Sequence, residues 1–195
     1  MDRRKAIQRT AFLLGGAVSA SIIAGVTSGC QAEKVTAWKP AFLDKDQAFL
    51  VGELAETILP ETETLGAKSI GVPEYIDIVV KDCFTVDEQL QFKKGLIEID
   101  EKCQLFAGKS FLDCSAEERQ KFLVSSETEG IKKRNESDEK AFIITLKELV
   151  LTGYFTSEYA ITELMNFNPI PQKFEGCIDA PASQKIQVGI EGRSA

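Results

Sequence analysis

The spacing of apolar residues between positions 92 and 106 constrains the fold of this chain more than any other feature. Phe92, Leu96, Ile99, Cys103 and Phe106 follow one another at intervals of four, three, four and three residues. This spacing places all five side chains on one face of an α-helix and does not fit the two-residue period of a strand. Just before it, Thr85-Val86-Asp87-Glu88 has the form of a capping box. The sequence therefore predicts a long amphipathic helix that begins after Thr85.

Start signals predict five further helices within residues 44–167. Most of these signals are side chains that accept the unpaired backbone N–H groups at a helix start. The other is a proline, which has no backbone N–H and is therefore suited to the first turn. In chain order they are Asp44, Pro73, the capping box Ser115-Ala116-Glu117-Glu118, Ser137 or Asp138, and Ser157. Pro60 ends the first of these helices, residues 61–72 are predicted to form a loop, and Gly153 interrupts or ends the helix that precedes Ser157.

These patterns predict a mainly α protein, a compact bundle of about five or six helices with an N-terminal export signal and an extended C-terminal arm. We divide the chain into an export signal (1–30), a tether (31–43), a helical domain (44–167) and a Pro-rich arm (168–195). The core of the bundle is expected to include apolar residues on the inner faces of the helices, among them Leu50, Leu54, Ile58, Ile76, Val79, Val80, Phe122, Leu123, Phe142, Leu146, Leu149 and Val150.

Residues 1–30 have the composition of an export signal. Arg3 and Arg4 lie near the front, and no charged residue occurs from Thr10 to Gln31. The uncharged run is rich in glycine, alanine and serine, which favours a signal over a stable membrane span. The arginine pair partly matches a twin-arginine signal, although Ala6 departs from the pattern. This composition predicts a chain that is exported to the periplasmic side of the membrane.

The end of the same run resembles a lipoprotein cleavage box. Small residues precede Cys30, although Thr27 stands where leucine is usual. Cleavage before Cys30 would give a lipid-anchored protein, because acyl chains on the cysteine bury methylenes in the bilayer. An uncleaved anchor helix and ordinary secretion are the alternatives. All three interpretations place the rest of the chain outside the cytoplasm.

The composition argues against several classes of function. The 195 residues include no histidine, so Ser–His–Asp and Cys–His catalysis are excluded within this chain. There is no CxxC spacing for zinc or iron–sulfur clusters and no GxGxxG for a dinucleotide. The formal net charge of −7 makes nucleic acid a poor partner. We therefore expect no catalytic, cofactor-binding or metal-binding residue in this chain.

The acidic residues allow two interpretations. A metal site or an acid/base pair would result if the fold brought together the carboxylates of Glu61, Glu63, Asp77 and Asp82. We favour the other interpretation, in which these side chains lie in solvent on a loop and on one face of a helix. Asp100 and Glu101 are expected on the outer side of the long helix.

The cysteines also leave alternatives open. Cys83 and Cys103 are predicted on the apolar faces of neighbouring helices, either as two buried thiols or as a disulfide, which export would permit. Cys114 precedes a helix start, a position that favours a thiolate, but nothing near it suggests a nucleophile site. Cys177 lies in the C-terminal arm, where an intermolecular disulfide to a partner is conceivable.

Three segments, in this order, resemble the gluconate 2-dehydrogenase subunit 3 family, the small subunits of membrane-bound FAD-dependent sugar dehydrogenases. The first comprises Ile58-Leu59-Pro60, Thr64-Leu65-Gly66-Ala67 and Gly71-Val72-Pro73-Glu74-Tyr75-Ile76-Asp77. The second is LVLTGYFTS, residues 149–157, and the third comprises Asn168-Pro169-Ile170-Pro171 and Phe174-Glu175-Gly176-Cys177. The family more often has proline where Leu65 stands. The leader is similar to that of the family as well.

The resemblance implies that the chemistry belongs to a partner. The family's large subunit contains FAD and is of the glucose–methanol–choline oxidoreductase type, and it passes electrons to a cytochrome or another membrane acceptor. The small subunit assists folding, export and membrane association of the flavoprotein, and no catalytic residue is carried over to this chain. Surface loops and arms are common binding elements, so the candidates for partner contact are residues of the arm, namely Pro169, Pro171, Phe174, Gly176 and Cys177. The alternatives are a stand-alone envelope lipoprotein and an independent enzyme that uses carboxylates.

Overall fold

Five α-helices make up most of the part of the chain that the computed structural model describes, which comprises residues 38–137, 140–167 and 185–188. They are α1 (Lys45–Ile58), α2 (Val72–Cys83), α3 (Val86–Ala107), α4 (Ala116–Ser137) and α5 (Phe142–Phe155). A short 3₁₀ turn (Phe111–Asp113) joins α3 to α4, and a π-helical turn (Ala160–Leu164) follows α5. Two short strands, β1 (Asn166–Phe167) and β2 (Gln187–Val188), pair in parallel. The predicted helical bundle is confirmed.

Three helix starts form where the sequence predicts them. Asp44 accepts the N–H of Gln47 at 2.8 Å, and the Gln47 side chain accepts the N–H of Asp44 in return. Thr85 and Glu88 form the same reciprocal pair before α3, and Ser115 and Glu118 do so before α4. Each box satisfies N–H groups that have no partner inside the helix.

Helix α5 is the centre of the bundle, because it packs against all four other α-helices. Its sequence, FIITLKELVLTGYF, is apolar on nearly every side, which is typical of a helix surrounded by others. Leu146 and Val150 are fully buried in it, together with Leu54 of α1, Ile76 of α2 and Leu96 of α3. These side chains form a single core that holds the remaining elements in place.

The predictions for residues 137 to 153 are wrong in two respects. Ser137 is the last residue of α4 and not the start of the next helix, which begins at Phe142; Asp138 lies outside the described residues. The polar second half of α4 continues as a helix because Gly130 packs against the start of α5 and because Lys132 and Glu136 form an ion pair one turn apart. Gly153 neither interrupts nor ends α5, since the helix runs on to Phe155.

Two residues predicted on inner helix faces are exposed. Cys83 is the last residue of α2 and is solvent-exposed, and Phe106, next to the end of α3, is about half exposed. Both lie in the last turn of a helix, where neighbouring helices cover less of the apolar face. Cys103 is buried as predicted, but its sulfur neighbour is Cys114 and not Cys83.

A buried carboxylate holds the segment before α1 against α2. Asp77 is only 1% exposed, and it accepts the backbone N–H groups of Ala41 (2.6 Å), Phe42 (3.2 Å) and Leu43 (2.8 Å). The Lys93 ammonium lies 4.1 Å from the centroid of the Phe42 ring. The prediction that Asp77 faces solvent is therefore wrong, because three N–H donors replace water around it.

The sequence predicts Asp100 on the outer side of the long helix, but it is partly buried. Its carboxylate accepts the N–H of Phe111 at 2.7 Å and so fixes the start of the 3₁₀ turn. Glu101 is exposed as expected.

Within the described ranges, no helix combines the length and the apolar character needed to cross a bilayer. The predicted export signal, residues 1–30, lies outside those ranges.

Candidate partner-binding surface

The loop between α1 and α2, residues 59–71, is held in one shape by its own hydrogen bonds. Leu59 accepts the N–H of Ala67 at 2.9 Å. The carboxylate of Glu56 accepts the N–H groups of both Glu61 and Lys68 at 2.9 Å, so a single side chain joins the two arms of the loop. Gly66 is required at the tip, since a Cβ there would collide with the Glu56 carboxylate and lie 2.7 Å from the Glu61 nitrogen.

Two tyrosines fix the exposed tip of this loop to the end of the bundle. The Tyr154 hydroxyl donates to the carbonyl of Leu65 at 2.8 Å, and the Leu65 N–H donates to the Tyr159 hydroxyl at 3.2 Å. Both backbone groups of Leu65 are thereby satisfied, while its side chain remains 40% exposed. The result is an apolar side chain presented to solvent from a rigid backbone.

The first two segments that resemble the subunit family meet at this point. Besides the tyrosine contacts to Leu65, Gly153 of α5 lies against the ring of Tyr75 on α2. A Cβ at Gly153 would come within 2.6 Å of Tyr75 Cδ1, so only glycine permits this approach. Segments about 90 residues apart in the chain therefore form one structural unit.

Hydrogen bonds join residues 157–167 to residues 185–188 beside this unit. The Ser157 hydroxyl accepts the N–H of Ala160 at 3.2 Å and starts the π-helical turn that leads into β1. The Asn166 N–H donates to the carbonyl of Ile186 at 2.9 Å, and the Lys185 ammonium donates to the carbonyl of Glu163 at 2.6 Å. Residues 185–188 are thus fixed at the place where the third segment begins, directly after Phe167.

We call the combination of loop 59–71, residues 153–159 and the β1–β2 pair the loop–helix surface. Four large apolar side chains on it are at least 40% exposed, and they are Leu65, Phe155, Phe167 and Ile186. Eight further large apolar side chains are exposed elsewhere in the described residues, so exposure alone does not single out this surface. Its hydrogen-bonded backbone and its family-like segments do. The loop–helix surface is therefore the candidate functional site of the described part of the chain.

An ion-pair cluster supports the loop from inside. Glu53 of α1 binds the Lys68 ammonium and the Arg119 guanidinium. Arg119 also donates to the carbonyls of Phe111 (3.0 Å) and Leu112 (2.7 Å). Partial burial raises the pKa of Glu53, but the hydrogen bonds from Lys68 and Arg119 outweigh it, so the net pKa is below its ordinary value. A carboxylate so fully paired is suited to holding elements together.

The described residues contain no group of three or more acidic or cysteine side chains placed to hold a metal ion. Glu61 and Glu63 are exposed, and Asp77 is fully engaged by backbone N–H groups. The other predicted functional residues, Arg3, Arg4, Cys30, Pro169, Pro171, Phe174, Gly176 and Cys177, lie outside the described residues, so those predictions stay as they are.

Sequence reasoning missed the two tyrosines and Asp77. Tyr154 lies within the second family-like segment, but a hydroxyl that reaches a carbonyl 89 positions away leaves no local signal. Asp77 likewise binds residues 34 to 36 positions earlier. Both roles arise from tertiary contacts.

The fold and the site define a class of protein: a single bundle of helices that presents exposed apolar side chains from a loop fixed by hydrogen bonds. The chain matches the family model described as gluconate 2-dehydrogenase subunit 3 over residues 45–172. It belongs to the gluconate 2-dehydrogenase subunit 3 family. The matched region begins with α1 and includes all five helices and the loop–helix surface as far as β1. Comparison with curated proteins and with solved structures gave no match.

Proposed function

We propose that this protein is the non-catalytic small subunit of an exported, FAD-dependent sugar or gluconate dehydrogenase. In this proposal it assists folding, export and membrane association of the flavoprotein subunit, which carries the FAD and passes electrons to a cytochrome or another membrane acceptor. The observation that carries the proposal is the family match over residues 45–172.

The loop–helix surface supports the proposal because it gives the partner a place to bind. It combines a rigid backbone, fixed by Tyr154 and Tyr159, with exposed apolar side chains such as Leu65 and Phe155. Interfaces of stable complexes have apolar centres of this kind, and burying each such side chain contributes about 1–2 kcal/mol. The partner is accordingly a protein with an apolar patch of its own.

A matched pair of variants tests the surface. Leu65→Glu places a charge in the loop–helix surface, whereas Leu105→Glu makes the same change on α3, where Leu105 is 89% exposed. Each tagged chain is co-expressed with a candidate FAD-containing dehydrogenase subunit from the same organism and purified from membranes in mild detergent. We expect Leu65→Glu to reduce the recovered flavin at least tenfold and Leu105→Glu to leave it unchanged. Recovery of the wild-type chain without any flavoprotein would contradict the proposal and favour a stand-alone lipoprotein.

Export is tested at the leader. Replacing Arg3 and Arg4 by lysine should leave the flavoprotein in the cytoplasm if one twin-arginine signal serves both subunits. Cell fractionation with a dehydrogenase assay on each fraction measures this. A flavoprotein that still reaches the periplasm would refute shared export while leaving the complex itself intact.

Lipid attachment is tested at the mature N-terminus. Mass spectrometry of the protein from membranes should show a chain that begins at Cys30 and carries acyl groups. A chain that retains Met1 and has no modification would remove the lipoprotein part of the proposal.

A further inference from the structure

Two buried thiols touch each other at the junction of α3 and α4. The sulfur atoms of Cys103 and Cys114 are 3.7 Å apart, and the two residues are 0% and 6% exposed. Cys103 lies on the inner face of α3, and Cys114 follows the 3₁₀ turn directly. A disulfide bond needs about 2.05 Å between the sulfurs, so the pair must approach by less than two ångströms.

The connection between the helices places Cys114 there. Gly108 ends α3 in the left-handed region, at φ 74°, and so turns the chain back. The N–H of Phe111 then binds the Asp100 carboxylate one turn before Cys103, and the buried ring of Phe111 anchors the turn in the core. The sulfur contact is thus held by a hydrogen bond and a buried ring on the same turn.

We propose that Cys103 and Cys114 form an intramolecular disulfide bond when the protein meets an oxidising environment. The proposal concerns a modification site within this chain and does not depend on the dehydrogenase partner. It also replaces the alternative raised from the sequence, a bond between Cys83 and Cys103, because Cys83 is exposed at the end of α2.

The reaction is thiol–disulfide exchange with a disulfide donor, either a small-molecule disulfide or an oxidoreductase with an active-site disulfide. The Cys114 thiolate attacks one donor sulfur, which releases the first donor thiol and leaves a mixed disulfide. Cys103 then attacks the Cys114 sulfur and displaces the second donor thiol. Two protein thiols are oxidised, one donor disulfide is reduced to two thiols, and the two protons from the protein end on the donor.

The order of attack follows from access and ionisation. Burial, the contact with Cys114 and the charges of Asp100 and Glu118 together raise the pKa of the Cys103 thiol to about 12. So little thiolate makes Cys103 a poor first nucleophile at neutral pH. Cys114 is the more accessible of the two and reacts first, after which Cys103 attacks a sulfur that is already in contact.

Trypsin makes the test direct, because it cuts after Lys102, Lys109 and Arg119. Cys103 and Cys114 therefore fall in the peptides 103–109 and 110–119, while Cys30, Cys83 and Cys177 each fall in another peptide. The reduced full-length chain is equilibrated with oxidised glutathione, free thiols are alkylated, and the digest is analysed by mass spectrometry. We expect most molecules to yield 103–109 linked to 110–119, two hydrogens lighter than the separate peptides.

Thermal unfolding provides a second readout. The oxidised wild-type chain should unfold about 5–10 °C above the reduced chain, since the bond restricts the unfolded state. Cys83→Ala should keep that difference, and Cys114→Ala should abolish it. The proposal would be overturned if peptides 103–109 and 110–119 were mostly alkylated, or if either were linked to another cysteine peptide. This outcome is read from the wild-type chain alone.

Discussion

At the scale of single residues, Asp77 joins two segments that are about 35 positions apart in the chain. One carboxylate satisfies three successive N–H groups of residues 41–43, and it is itself almost completely buried. Hydrogen bonds to a buried charged acceptor contribute more than neutral ones, and a charge in the interior persists only where such donors surround it. The segment before α1 is therefore fixed to α2 by a single side chain.

We expect Asp77→Asn to destabilise the protein by about 3 kcal/mol, because the amide offers one acceptor oxygen and turns an NH₂ group toward N–H donors. Asp82→Asn, on the exposed side of the same helix, is the matched control and should change stability by less than about 0.5 kcal/mol. Urea unfolding followed by circular dichroism measures both. Equal effects of the two variants would show that the hydrogen bonds of Asp77 contribute little.

Glu118 gives the protein a pH-dependent contribution to stability. The hydrogen bond from Lys109, followed by those from Ser115, lowers the pKa of Glu118 from 4.5 to about 2. The folded form thus prefers the charged carboxylate. The stabilisation is fully present above about pH 4.5 and is lost as pH falls toward 2.

The expected result is that Glu118→Gln lowers the melting temperature at pH 7 and that its difference from the wild type disappears near pH 2. Because Glu118 is exposed to solvent, added salt should reduce the difference at pH 7. Glu117→Gln controls for the loss of a negative charge in the same helical turn. A difference that stayed constant from pH 7 to pH 2 would assign the effect to something other than ionisation.

At the scale of helices, glycines set how closely α3 and α5 approach each other. A Cβ at Gly95 of α3 would collide with the ring of Phe142 at the start of α5. Gly52 of α1 is also buried, but a Cβ there would lie 3.5 Å from the Lys68 side chain, which is an ordinary contact. The position of Gly95 therefore has no room for a side chain, whereas the position of Gly52 has room for a methyl group.

We predict that Gly95→Ala destabilises the bundle by about 1–3 kcal/mol through overpacking, although alanine favours helix formation. Gly52→Ala should be neutral or should stabilise the bundle by up to about 1 kcal/mol for the same intrinsic reason. Differential scanning calorimetry of the two variants gives the comparison. Stabilisation by Gly95→Ala would mean that Phe142 moves aside at little cost.

Most helix starts were predictable from the sequence, whereas the start of α5 and several helix ends were not. The difference lies in how local the signals are. A capping box such as Thr85–Glu88 lies within four consecutive residues, so its chemistry can be read directly from the sequence. The ends of α2 and α5 depend on tertiary neighbours instead. Gly153, for instance, continues its helix because Tyr75 fills the space beside it. The core positions Leu54, Ile76 and Leu146 followed from spacing alone.

At the scale of the whole molecule, the loop–helix surface joins segments that are distant in the chain. The sequence identified two of those segments as family-like, but it could not show that they touch. Their meeting depends on hydrogen bonds from Tyr154 and Tyr159 to Leu65, and such contacts carry no periodic or compositional signal. The surface could therefore be assembled only from the folded chain.

Tyr154→Phe separates the stability of the bundle from the function of the surface. Removal of the hydroxyl leaves the ring in the core and frees the Leu65 carbonyl, at a cost of about 1 kcal/mol. We expect a small fall in melting temperature and a clear fall in the amount of flavoprotein recovered with the chain. Tyr75→Phe, which keeps the ring that packs on Gly153, is the matched control. Full recovery of the flavoprotein with Tyr154→Phe would show that binding does not require the ordered loop tip.

The attachment of residues 41–43 to Asp77 has a mechanical consequence. A pulling force applied at Trp38 reaches Ala41 before it reaches the capping box of α1 at Asp44. Asp77 lies on α2 between Ile76 and Val80, which are both fully buried, so the load passes from the carboxylate into the core. Tension on the N-terminal side is therefore borne by the interior of the bundle, and the first turn of α1 is shielded from unwinding.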